Sequence, residues 1–485
     1  MIQVQDFTRQ YINGQWVKGN STKQIKDYNP YTKEEIITIQ AASMEDLDHA
    51  FIAAKQAQPL WETMSLGEKQ RLFERLEAVL KGKKQEIIQW LVKESGSTLM
   101  KATVEFDSSV NTVREAASFL TRMKGEILPS YVPGKENRIY RTAKGVIGVI
   151  GPWNFPFLLT MRSVAPAVAT GNTVVVKPAS DTPVTSGLLV GELFEEAGFP
   201  PGVVNVIVGR GSEIGDAFVT HPIPDMISFT GSTEVGRRIG ELAGRNVKDV
   251  ALELGGNNVM IVLEDADIEE AARAAAFGKF LHQGQICMAL NRIIVEETVY
   301  DEFVEEFTEV VKGLHTGDPA DPHTFIGPLI NHDQVNRIVA AVDESVLKGA
   351  ILHLDGQVHD CLMEPIILTN VTNDMPIANN EIFGPVAPII KAEDEAEAIH
   401  IANDSAYGLS GSIFTTDLHH GVEVAKKIKT GMIHVNDQSV NDEAHVPFGG
   451  EKASGVGRFN GEWALEKFTT VKWISVQSGY RDYPI

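Results

Sequence analysis

"MISFTGSTEVGRRIGELAG", residues 226–244, runs as an apolar strand into Gly231 and passes at once into a helix capped by Ser232 or Thr233. A helix N-terminus gathers free N–H groups and the positive end of the helix dipole, so such a turn suits a phosphate. A Ser-Thr pair after glycine serves equally well as a plain cap. The stretches before it are built from the same parts. "GVIGVIGPWNFP" (145–156) holds a short buried strand, and "GNTVVVKPAS" (171–180) holds a second that stops at Pro178. A helix around 183–197 ends at Gly198, and "GVVNVIVG" (202–209) is a third strand. Strands and helices alternating in units of this size predict a parallel sheet covered on both faces.

The alternation then repeats. "VALELGGNNVMIVL" (250–263) is strand-like, 268–281 is an Ala-rich helix, "NRIIVEETV" (291–299) is a strand and 300–313 a helix. Further helices are expected at 395–403 and 419–429. At the N-terminal end, "QYINGQWVKG" (10–19) alternates around an Asn-Gly turn and predicts a hairpin. Helical spacing follows over 44–57 and 66–124, and the tail "TTVKWISVQ" (469–477) predicts a strand. Two α/β domains are expected, with β-rich excursions near 125–143 and in the tail.

Composition narrows the partners. A chain of 485 residues with 43% hydrophobic and 22% charged residues is ordinary for a soluble globular protein of two or three domains. The net charge of −22 argues against nucleic acid and anionic membrane surfaces. Two cysteines, Cys287 and Cys361, provide no disulfide framework, which fits a reducing cytoplasm. No signal-peptide pattern and no apolar run of spanning length is visible.

Four stretches carry chemistry. In "HQGQICMALNR" (282–292), Cys287 has polar neighbours, unlike a cysteine buried as a small hydrophobe. Glu253 in "LELGGNN" (252–258) lies in an apolar run, where a carboxylate is costly unless paired, hydrogen-bonded or kept neutral. Asn154 projects an amide from the rigid "GPWNFP" loop, as a developing oxyanion needs; a turn asparagine is the plainer alternative. "VGRGSEIG" (208–215) follows a strand, but its glycines miss the usual dinucleotide fingerprint by one position. No His/Cys cluster has metal-ligand spacing, so no metal is expected.

Together with "KPAS", "FTGSTEVG", "EIFGPV" and "PFGGEKASGVGR", taken in this order, these motifs resemble the aldehyde dehydrogenase superfamily over about residues 10–478, and within it the benzaldehyde and vanillin dehydrogenase group. The resemblance implies a Rossmann-type cofactor domain (1–124 and 144–254), a second α/β catalytic domain (255–455) and oligomerisation segments (125–143 and 469–485) that build a homodimer or homotetramer. It makes Cys287 the nucleophile, Glu253 the general base and Asn154 the oxyanion donor. Lys177 is placed at the adenosine ribose, the turn of Gly231, Ser232, Thr233, Glu234, Val235 and Gly236 at the pyrophosphate, and Glu381 and Phe383 at the nicotinamide ribose and ring. Trp153, Ser180 and Gly211 complete the implied cofactor set. The family often has Glu where Ser180 stands; a neutral hydroxyl leaves room for a 2′-phosphate, so the cofactor is NAD or NADP. His282 has no assigned role in the family pattern.

Phe155, Phe157, Leu159, Arg162 and Met288 are expected to line the substrate tunnel. An apolar, aromatic pocket suits a ring, which points to an aromatic aldehyde oxidised to its acid through a thioester. Arg162 argues partly the other way, since a guanidinium also binds a carboxylate, and a semialdehyde acid such as succinate semialdehyde is the alternative substrate. A non-catalytic relative is the alternative from another class, and would be expected to lose Cys287 or Glu253.

Overall fold

The computed structural model describes residues 6–485. Its first sheet is built on five parallel strands in the spatial order Val204–Val206, Thr173–Lys177, Val146–Ile150, Met226–Thr230 and Asp249–Glu253. Their Val- and Ile-rich residues are mostly buried, as a sheet covered on both faces requires. The chain winds outward from Val146–Ile150 in one direction and then returns to its other side at Met226–Thr230. That reversal opens a crevice at the carboxyl ends of the two strands. The GPWNFP loop and the Gly231 turn both leave the sheet there.

Two antiparallel additions close the edges. The hairpin Gln10–Ile12 with Gln15–Val17 turns through Asn13 and Gly14 at φ 51° and 72°, and pairs with the Val204–Val206 strand. At the other edge, Gly455–Val456 returns from late in the chain to pair with Leu252 and Glu253.

The apolar run 250–263, expected as one strand, is two. Asp249–Glu253 ends the first sheet and Asn258–Val262 lies inside a second, with Leu254 to Asn257 crossing between them. The second sheet orders Ile351–Leu354, Ile366–Thr369, Val386–Ala392, Leu290–Glu296, Asn258–Val262, Gly411–Phe414 and His434–Val435, all parallel except the first pair. A third, antiparallel sheet pairs Thr469–Gln477 with Lys135–Ala143 along their whole lengths and adds Glu126–Leu128. It carries exposed Ile127, Val471 and Trp473.

Arg292, at the start of the Leu290–Glu296 strand, ties the second sheet to its helices. Its Nη1 donates to Asn373 Oδ1 at 2.9 Å and the Ile401 carbonyl at 2.7 Å. Nη2 donates to the carbonyls of Asn257 and Ala402, both at 3.1 Å. Two of those carbonyls end the helix Glu395–Asn403, where a cation also meets the negative end of the dipole. Arg292→Met is therefore expected to lower stability by about 3 kcal/mol, since it strands these buried acceptors. Thermal unfolding checks this; an unchanged melting temperature contradicts it.

Candidate active site

At its two glycines the crossing between the sheets leaves no room for side chains. A Cβ on Gly255 would stand 2.3 Å from a carboxylate oxygen of Glu381, and one on Gly256 would stand 2.3 Å from the Cys287 carbonyl oxygen. The Gly-Gly pair thus lets Glu253, Glu381 and the Cys287 loop converge on one cavity of about 950 Å³, bordered by Asn154, Glu253, Cys287 and Glu381 together.

Each of the three reactive groups is held by its backbone. Glu253 is the last residue of its strand, laddered to Thr230 on one side and Gly455 on the other. Its carboxylate is buried and neither oxygen has a hydrogen-bond partner among the described residues. Burial pushes this carboxyl up to about 8, with the Arg162 charge pulling it back and Asp442 offsetting Arg162. Cys287 keeps part of its surface open, and its carbonyl accepts from Asn258 Nδ2 at 2.7 Å. Burial, and next the Glu253 charge, hold its thiol well above the usual value. Asn154 donates its amide to the Gln285 carbonyl at 3.0 Å, on the loop that carries Cys287.

That loop is tightly anchored. His282 and Gln283 both have left-handed backbone, at φ 50° and 58°. The Gln283 amide donates to the Pro328 carbonyl at 2.8 Å, and Gln285 Oε1 accepts from the Ile330 N–H at 3.0 Å. The polar residues around Cys287 are thus buried anchors. His282 packs edge-on against Phe155, with ring centroids 5.7 Å apart, and burial beside Lys101 keeps it neutral.

On the cofactor side, Trp153, Lys177, Gly211, Gly231, Ser232, Glu234, Val235, Glu381 and Phe383 border the cavity. Ser180, Thr233 and Gly236 do not; Ala179 borders it in place of Ser180. Thr233 donates its hydroxyl to the Ala453 carbonyl at 3.2 Å, and Gly236 packs against Leu254. Among the described residues the Lys177 ammonium donates only to the Pro178 carbonyl, at 3.2 Å, and burial lowers it to about 8. The Glu381 carboxylate accepts from the Gly256 N–H at 2.8 Å; burial raises it to about 7 against the pull of that N–H and of Lys279. Phe383, at φ 55°, meets Trp153 edge-on at 5.4 Å. A buried cation without a counter-ion among the described residues, a helix N-terminus and a carboxylate around a cavity of this size fit a dinucleotide.

The residues expected at the substrate tunnel, Phe155, Phe157, Leu159, Arg162 and Met288, are all buried, and none borders that cavity. Arg162 pairs with Asp442 and lies over the Phe448 ring at 4.0 Å. Asp442 in turn accepts from Asn460 Nδ2 at 2.8 Å and borders a second cavity of about 350 Å³, between the helix Leu99–Phe119 and residues 442–445.

Residues 16–474 match the Aldehyde dehydrogenase family. The chain belongs to the aldehyde dehydrogenase family. It is 51% identical to the vanillin dehydrogenase of Corynebacterium glutamicum over 97% of this chain and 98% of that one. Against benzaldehyde dehydrogenase YfmT of Bacillus subtilis the identity is 48% over the full length of both. The crystal structure of a NAD-dependent benzaldehyde dehydrogenase from Corynebacterium glutamicum superposes with a TM-score of 0.91, at 48% identity, covering 99% of this chain and 98% of that one.

Sequence reading of this aldehyde dehydrogenase missed a supporting network. Asn291 donates to Asn257 Oδ1 at 2.7 Å and to the Asn380 carbonyl at 2.8 Å, and accepts from the Ile382 N–H at 3.2 Å. Asn257 donates to the Ala378 carbonyl at 2.7 Å. The two asparagines fasten the segment carrying Glu381 beside the Gly-Gly crossing. Asn257, in the LELGGNN stretch, is the visible signal.

A base with its midpoint near 8 works only when ionised, so a step that needs ionised Glu253 slows as pH falls through about 8. Acid formation is expected to rise between about pH 7 and pH 9 and to lose that dependence in Glu253→Gln. A pH-independent wild-type rate over this range contradicts the assignment.

Proposed function

We propose that this aldehyde dehydrogenase oxidises an aromatic aldehyde of the benzaldehyde or vanillin type to its carboxylic acid, with NAD or NADP as cofactor. The Cys287 thiol adds to the carbonyl carbon, and its proton passes to Glu253, the base that borders the same cavity. The new alkoxide takes the Asn154 amide N–H, released from the Gln285 carbonyl, and the Cys287 backbone N–H. When bound, the nicotinamide supplies the acceptor for the hydride that leaves this adduct as it becomes a thioester. Glu253, its proton returned to solvent, then takes one from water; the hydroxide opens the thioester, and the acid leaves with the thiol restored.

The Arg162–Asp442 pair carries the choice of substrate. A free buried guanidinium would favour a carboxylate-bearing semialdehyde, but here Asp442 supplies its counter-charge at Nη2, while Nε and Nη1 have no partner among the described residues. The buried Phe448 ring adds aromatic surface against Arg162, which suits a neutral ring. The names of the relatives point the same way: the similar proteins are vanillin and benzaldehyde dehydrogenases. The kept pair Cys287 and Glu253 speaks against a non-catalytic relative.

For the cofactor, neither Ser180 nor Ala179 supplies a carboxylate to repel a 2′-phosphate, and the similar crystal structure is that of a NAD-dependent enzyme. The exposed apolar strand Thr469–Gln477, paired with Lys135–Ala143, supports assembly into a homodimer or homotetramer. No helix among the described residues is long and apolar enough to cross a membrane.

A cofactor-reduction screen tests this. Benzaldehyde and vanillin are expected to exceed succinate semialdehyde by at least about tenfold in kcat/KM, because Arg162 already carries its counter-charge on Asp442 and has none to offer a substrate carboxylate. The reverse order would overturn the aromatic assignment.

A further inference from the structure

Lys101 and Glu105 lie one turn apart on the helix Leu99–Phe119, fully buried and outside the cofactor cavity. The Lys101 ammonium uses all three of its protons: on Glu105 Oε2 at 2.5 Å, on Ser97 Oγ at 2.9 Å and on the Asn154 backbone carbonyl at 2.7 Å. It also lies 4.1 Å from the centre of the Phe155 ring. The other Glu105 oxygen accepts the N–H groups of Phe157 at 2.9 Å and Leu158 at 3.1 Å. These open the helix Pro156–Ala169, whose N-cap, Phe155, offers no side-chain cap. The ion pair therefore grips the chain at the Asn154 carbonyl, next to the residue's own side chain, and again at the N–H groups of the helix that follows.

A buried ion pair contributes little net stability compared with apolar residues of the same volume. Position is the stronger account of it. A shift of about 1 Å in a group that binds the transition state is enough to cost orders of magnitude in rate. We propose that Lys101 and Glu105 are positioning residues that hold the Asn154 amide at the site of the developing oxyanion. This rests on Asn154 being the oxyanion donor. Neither residue touches substrate; both act through the 154–158 segment.

A double-mutant cycle on the full-length enzyme with NAD and benzaldehyde tests it, read as the single-turnover rate of cofactor reduction. Lys101→Met is expected to slow this step about tenfold or more while NAD affinity stays within about twofold. In an Asn154→Ala background the same substitution is expected to cost less than about twofold, because the group it positions is already gone. If Lys101→Met is insoluble, Glu105→Gln, which keeps an oxygen for the two N–H groups, runs the same cycle with the same expectation. Equal losses in both backgrounds, or none in either, overturn the positioning role while leaving Asn154 as the donor. An Asn154→Ala enzyme at the wild-type rate overturns the donor assignment and the positioning role with it.

Discussion

A carboxylate buried with no hydrogen bond is among the costlier things a fold can hold, and Glu253 is one. The chain keeps it in place by means that do not touch its oxygens. The residue is laddered through its backbone between Thr230 and Gly455, so both oxygens stay free to take a proton. The same constraint explains the Gly-Gly crossing that follows. A side chain at Gly255 would displace the Glu381 carboxylate, and one at Gly256 would collide with the Cys287 carbonyl. The late return of Gly455–Val456 to the first sheet belongs to this arrangement, since it supplies the second rail of the Glu253 ladder.

Desolvation sets the electrostatics around this carboxylate. It raises Glu253 and Glu381 and lowers Lys177 and Lys279, so ionisable groups that are far apart in water meet within about one unit of pH 7–8. Groups poised in that range exchange protons at small cost, which is what acid–base chemistry near neutrality needs. Arg162 and Asp442 act as an opposed pair: each charge reaches Glu253 and Cys287 with opposite sign, and each satisfies part of the other. The site thereby carries a guanidinium without carrying a free positive charge.

Much of this was legible in the sequence, and the rest was hidden for identifiable reasons. The alternating elements announced parallel α/β sheets, and the strand-turn-helix at Gly231 falls where the strand order reverses. Motif order pointed to Cys287, Glu253 and Asn154, which the fold brings to one cavity. What failed to show was non-local or depended on side-chain direction. Lys101 acts on Asn154 from 53 residues away, and Arg162 finds Asp442 across 280. Periodicity cannot reveal either pairing. The segment's resemblance to a tunnel wall suggested Phe157 and Leu159, and both lie buried in the core cluster, Phe157 completely. The break of 250–263 into two strands was written in its Gly-Gly pair, which an apolar run masked.

The central claim is that Cys287 carries the acyl group and Glu253 frees it. Intact-mass spectrometry of Glu253→Gln, mixed with NAD and benzaldehyde, tests this most directly. A burst of reduced cofactor followed by a stall, with a benzoyl group on Cys287, is the expected result. Steady turnover with an unmodified Cys287 would contradict it.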